Sequence, residues 1–160
     1  MAKWHFMRLP LLQSNDRPAD VAHARNEIAR ALEINPAHGL ACALDGHLQV
    51  YFDGEPERAL GRIDTAIAHN PSESMAWLFK ANALTALDRG DEAVAAVTRA
   101  RELSPLDPIA YFFDTFAAAA HRVAGNHAAA LEFAQRSVRE NSLHLPGLVE
   151  LILAQVAADE

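Results

Sequence analysis

Three charged residues recur at one spacing. Asp45, Lys80 and Asp114 stand 35 and 34 residues apart, so a structure of that period brings them to equivalent places. An acid, a base and an acid in register could clamp a charged ligand, or pair with one another as a buried ladder that fixes register. We expect the ladder, since packed helices lie ~8–10 Å apart, within reach of extended Lys and Asp side chains. The other reactive types are eight histidines and one cysteine, Cys42. No histidine pair at i, i+4 brackets a glutamate, and no second cysteine completes a zinc set. We therefore expect no metal and no cofactor. Cys42 cannot form an internal disulfide; it reads as a small buried residue in a reducing compartment. No G-x-S-x-G, no phosphate loop and no cysteine–base pair is present. Glu55, Glu57, Asp91 and Glu92 fall at turns or helix starts, where the helix dipole favours carboxylates. Catalysis is not expected.

The elements that position these residues are helices. About a fifth of the chain is alanine, the best helix former, and 51% is hydrophobic, enough for one core in 160 residues. No run alternates with period two. Helices are expected over 2–14, with Trp4, Met7 and Leu11 on one side and Pro10 straining it, then over 19–35, 37–52 and 57–70. The stretch 75–105 reads as two helices joined at Asp88-Arg89-Gly90, with Ser72 as N-cap. Asp107-Pro108 opens a helix to about Val123; 127–141 and 145–158 complete the set. Pro36, Pro71 and Pro105 close successive second helices, 35 and 34 residues apart, and Ser142 stands where a fourth proline is expected. Ahead of them come matched triplets: Ala24, Ile28, Ala31; Ala59, Ile63, Ala66; Ala93, Val97, Ala100; Ala130, Ala134, Ser137.

With Trp4, Cys42, Trp77 and Tyr111 sharing an aromatic position, this ladder resembles the tetratricopeptide repeat, whose period is ~34 residues. The resemblance implies an all-α, right-handed superhelix. Its units are 1–36, 37–71, 72–105 and 106–142, with an end helix over 144–158. The phrases 43–84, 103–121 and 131–148 resemble the C-terminal repeat portions of bacterial adenylate/guanylate cyclase-like proteins and winged-helix transcriptional activators. In such proteins the module senses or docks while another domain acts.

The repeat pattern, carried over by position, places His47, Tyr51, Leu78, Asn82, Thr85, Phe112 and Phe116 in a concave groove, preceded by His5 and Leu9. That lining suits a peptide or partner domain. The chaperone-binding branch of the family adds basic residues to hold a carboxylate, and here only Asn82 is present. Alternative readings are a small apolar ligand between Leu78, Phe112 and Phe116, or a homodimer. For the dimer, Leu148, Leu151 and Ile152 are expected contacts, because a terminal helix needs a solvated outer face and 145–158 is apolar most of the way round. Net charge is −7, and only two lysines occur. Nucleic-acid binding is not expected, since it relies on Lys and Arg neutralising phosphates. Residues 1–14 show no signal-peptide pattern, and no apolar run is long enough to span a bilayer. A cytoplasmic location is expected.

Overall fold

The computed structural model describes residues 16–158, apart from the Arg17 side chain. The expected helix 2–14, with Trp4, His5 and Leu9, lies outside the described residues. Within them are α1 (Arg17–Ile34), α2 (Gly39–Leu48), α3 (Pro56–His69), α4 (Ser74–Ala86), α5 (Gly90–Leu103), α6 (Ala110–Val123), α7 (His127–Glu140) and α8 (Leu145–Ala158). A π-helical turn, Gln49–Asp53, extends α2, and there is no strand among the described residues.

Consecutive helices pack as hairpins, and α2, α4, α6 and α8 also pack one on the next. Among the described residues no comparable contact joins α1, α3, α5 and α7. First helices therefore make a tight inner layer while second helices fan apart outside, which curves the stack into an all-α superhelix. The triplets show why. Ala24, Ala59, Ile63, Ala66, Ala93, Val97, Ala100, Ala130, Ala134 and Ser137 are all buried, so small side chains on each second helix let a first helix come close. At Gly46 the approach leaves no space: a Cβ there would stand 2.6 Å from Ile63 Cγ1.

The turns repeat as faithfully as the helices. Gly54, Asp88 and Gly125 turn the hairpins with φ of 68°, 56° and 75°. This left-handed region suits glycine, and aspartate tolerates it. Between units, Asn35, Asn70 and Asn141 accept the backbone N–H two residues on at 3.1, 3.2 and 3.1 Å, as asparagine does in Asx turns.

Three local expectations are corrected. Glu73, rather than Ser72, caps α4, accepting the Met75 N–H; Ser72 is engaged instead in the Asn70 turn. The helix after Pro105 begins at Ala110, because Asp107 Oδ1 accepts from Ile109 N–H at 3.0 Å and forms a separate turn. The second-unit helix does not run on regularly to residue 52; it widens into the π turn that Gly54 closes.

Candidate inner-face site

The ladder is the largest correction. Asp45 accepts from Arg62 at 3.2 Å, Lys80 meets Asp64 at 2.7 Å, and Asp114 is gripped by Arg101 and Arg136. No ion pair joins the three to one another among the described residues. They do hold equivalent positions, but those positions face the second helices α3, α5 and α7, which supply the counter-charges, and not the neighbouring first helix. Their burial differs. The Asp114 side chain is 2% exposed, that of Asp45 22%, and the Lys80–Asp64 pair 25% and 50%. Phe133 lies under both guanidiniums at Asp114, 5.0 and 4.7 Å from its ring.

Of the expected groove residues, His47, Phe112 and Phe116 meet in one ring cluster, which Tyr51 and Asn82 join at its edge. Stacked rings of His47 and Phe79 lie 4.2 Å apart; Phe116 meets His47 at 5.8 Å, Phe79 at 6.3 Å and Phe112 at 4.9 Å. His47 on α2 thus reaches Phe116 on α6 past the intervening α4, a measure of how sharply the inner layer curves. The consequence is a filled groove centre: His47, Leu78, Phe112 and Phe116 are buried. Phe112 and Phe116 touch edge to face, so no small ligand sits between those two rings. Phe79, which sequence reasoning did not assign to this face, is fully buried at the hub of the cluster. Trp77, at the shared aromatic position, is half-buried, its Nε1–H donating to the Pro71 carbonyl at 2.9 Å.

What stays accessible is the rim. Tyr51 is 53% exposed and lies 5.0 Å ring to ring from His47. Asn82 Nδ2 and His47 Nδ1 are 3.2 Å apart, the one hydrogen bond of the Asn82 side chain among the described residues. Thr85, one turn on, is half-buried, its hydroxyl donating to the Ala81 carbonyl at 2.8 Å. Restricted solvation and the Glu150 carboxylate push the Tyr51 phenol above its ordinary value; Glu150 belongs to α8, three first helices along the stack. Burial pushes the His47 pKa down to about 3, so its ring is neutral near pH 7 and can meet the Asn82 amide as an acceptor. Among the described residues there is no group of three His, Cys, Asp or Glu able to hold a metal, and no helix is long and apolar enough to cross a membrane.

At the chain's end, Leu148 and Leu151 are half-buried, and Leu151 packs on Ala118, Ala130, Ala134 and Ala154. Of the three expected dimer residues, Ile152 alone points outward, 60% exposed.

A comparison with curated proteins gives no match. Twelve solved chains match, among them one titled as the crystal structure of MamA, 14% identical over 89% of this chain and 91% of that one, with a TM-score of 0.58. At that identity the likeness is one of fold. The family model described as tetratricopeptide repeat matches residues 51–108, the stretch from Tyr51 through α3, α4 and α5, so over that stretch the chain is similar to the tetratricopeptide repeat.

Proposed function

We propose that this chain is a non-catalytic interaction module that holds a peptide or a partner domain across the inner faces of α2 and α4. One observation carries the reading: the rim Tyr51, Asn82 and Thr85 runs over a rigid aromatic floor. An exposed phenol on such a floor gives contact area at low entropic cost, and an amide with unused capacity can bond a peptide backbone. Tetratricopeptide repeats generally mediate protein–protein contacts, which supports a macromolecular ligand. The finer placement, within a bacterial signalling or transcription-regulating protein, rests on the resemblance of 43–84, 103–121 and 131–148 alone.

The test is selection of peptides from a phage-displayed library on the purified chain, followed by calorimetry with one synthetic winner. Tyr51→Ala and Asn82→Ala should each weaken that peptide about tenfold or more, as hot-spot truncations do. A library that yields no binder, or a binder indifferent to both changes, would contradict the proposal.

A further inference from the structure

The helix α8 contacts both α6 and α7, the position of a first helix in a further pair. Its inward face is Leu148, Leu151 and Ala154; Arg122 on α6 holds Glu150 with two N–H donors at 3.1 and 3.3 Å. Its outward face is Leu145, Val149, Ile152, Leu153 and Val156, exposed by 40, 45, 60, 40 and 56%. Counting from the residues that cap the preceding second helices, Ser104 and Asn141, Val149, Ile152 and Leu153 correspond to Phe112, Thr115 and Phe116 of α6, all buried. The same face that is covered on α6 stands open on α8.

We propose that this face is the contact of a symmetric homodimer, with α8 of one copy laid antiparallel on α8 of the other. Four of the five residues follow the spacing 4-3-4 (145, 149, 152, 156), which is the seam of a coiled coil. That spacing is also a palindrome. In an antiparallel pair Leu145 meets Val156 and Val149 meets Ile152, on both sides of the two-fold axis, as an isologous interface requires. The stripe carries no charged residue that would oppose the pairing. The size is adequate too. Side chains of roughly 150–200 Å² each, at these exposures, present on the order of 400 Å² of apolar surface per copy. A stable interface needs about 800 Å² per partner, of which roughly 65% is apolar in homodimers, so the stripe supplies most of the apolar part.

The test is sedimentation velocity of the full chain from about 1 to 200 μM, with circular dichroism confirming the fold of each variant. Wild type should show concentration-dependent dimer. Val149→Glu and Ile152→Lys should each be monomeric, while Leu106→Glu, at an exposed turn residue distant from α8 in sequence, should dimerise as wild type does. An equimolar mixture of Val149→Glu and Ile152→Lys should dimerise again, since only the antiparallel register sets the carboxylate introduced at position 149 of one chain against the ammonium introduced at position 152 of the other. A wild-type chain monomeric throughout overturns the proposal, and one that instead co-sediments with phosphatidylcholine vesicles assigns the stripe to a lipid surface. Dimers that persist in both charged variants, or a mixture that stays monomeric, overturn the interface or its direction.

Discussion

Asp114→Ala is the most informative stability change, because the three equivalent charged positions differ in burial. The Asp114 carboxylate is 2% exposed and accepts from Arg136 Nε and Nη2 at 2.5 and 2.7 Å as well as from Arg101. Removing one member of a buried pair costs about 3–5 kcal/mol, since the partners keep their desolvation penalty. The two guanidiniums are 36% and 32% exposed and can turn partly to water, which puts the expected loss at the low end, about 3 kcal/mol. In a chain of this size that lowers Tm by about 6–12 °C. Asp45→Ala, at a 22% exposed carboxylate with Arg62 at 3.2 Å and Gln49 at 3.1 Å, should cost about 1 kcal/mol. Lys80→Met breaks a pair whose acid is half exposed and should change stability by less than about 0.5 kcal/mol. Urea unfolding of the three variants gives the order directly. A Lys80→Met loss as large as that of Asp114→Ala would restore the ladder between first helices and refute the pairing described above; an Asp114→Ala loss below about 1 kcal/mol would refute the burial argument.

Phe79→Ala should cost about 3–5 kcal/mol, as large core truncations do, and more than Trp77→Ala; equal losses in urea would displace Phe79 from the hub. Gly90→Ala should destabilise by about 1–3 kcal/mol or more through overpacking, because a Cβ would stand 2.4 Å from Ala124 N and 2.5 Å from Ala124 Cα, backbone atoms that cannot step aside; an unchanged urea midpoint would contradict that close approach. Burial lowers the His144 pKa to about 4, and neither ring nitrogen has a hydrogen-bond partner among the described residues. Since the folded pKa lies below the unfolded ~6.5, this contribution is complete above pH ~6.5 and is lost as pH falls toward 4, by up to about 3 kcal/mol. His144→Leu should flatten that part of the pH–stability curve; an unaltered acid slope would show that the ring is solvated.

The helices, the hairpin turns and the period were legible because alanine triplets and prolines are local signals repeated at one spacing. The inter-unit asparagines Asn35, Asn70 and Asn141 carried an equally regular signal that the prolines overshadowed. Pairing at Asp45, Lys80 and Asp114 was not legible for a geometric reason. A shared period fixes equivalent positions but does not say whether a side chain faces the next first helix or its own and preceding second helices. Arg62, Asp64, Arg101 and Arg136, one turn or less from the triplet residues, were the available clue. Of the groove residues, His47, Tyr51, Asn82, Phe112 and Phe116 are in contact, but much of that face is filled. Position in the repeat assigns a face, whereas the bulk of His47, Phe79 and Phe116 decides whether that face stays hollow. At α8 the apolar composition is plain in the sequence, but it does not say which leucines turn inward. Leu151 does so because it packs on Ala118, Ala130 and Ala134, a surface that exists only after α6 and α7 have packed.

The inner-face account is tested most directly by nuclear magnetic resonance titration of the labelled chain with a library-selected peptide. Signals of Tyr51, Asn82 and Thr85 should shift first and furthest, with α3, α5 and α7 largely unmoved. Shifts concentrated on those outer helices, with the Tyr51–Asn82 rim silent, would contradict it.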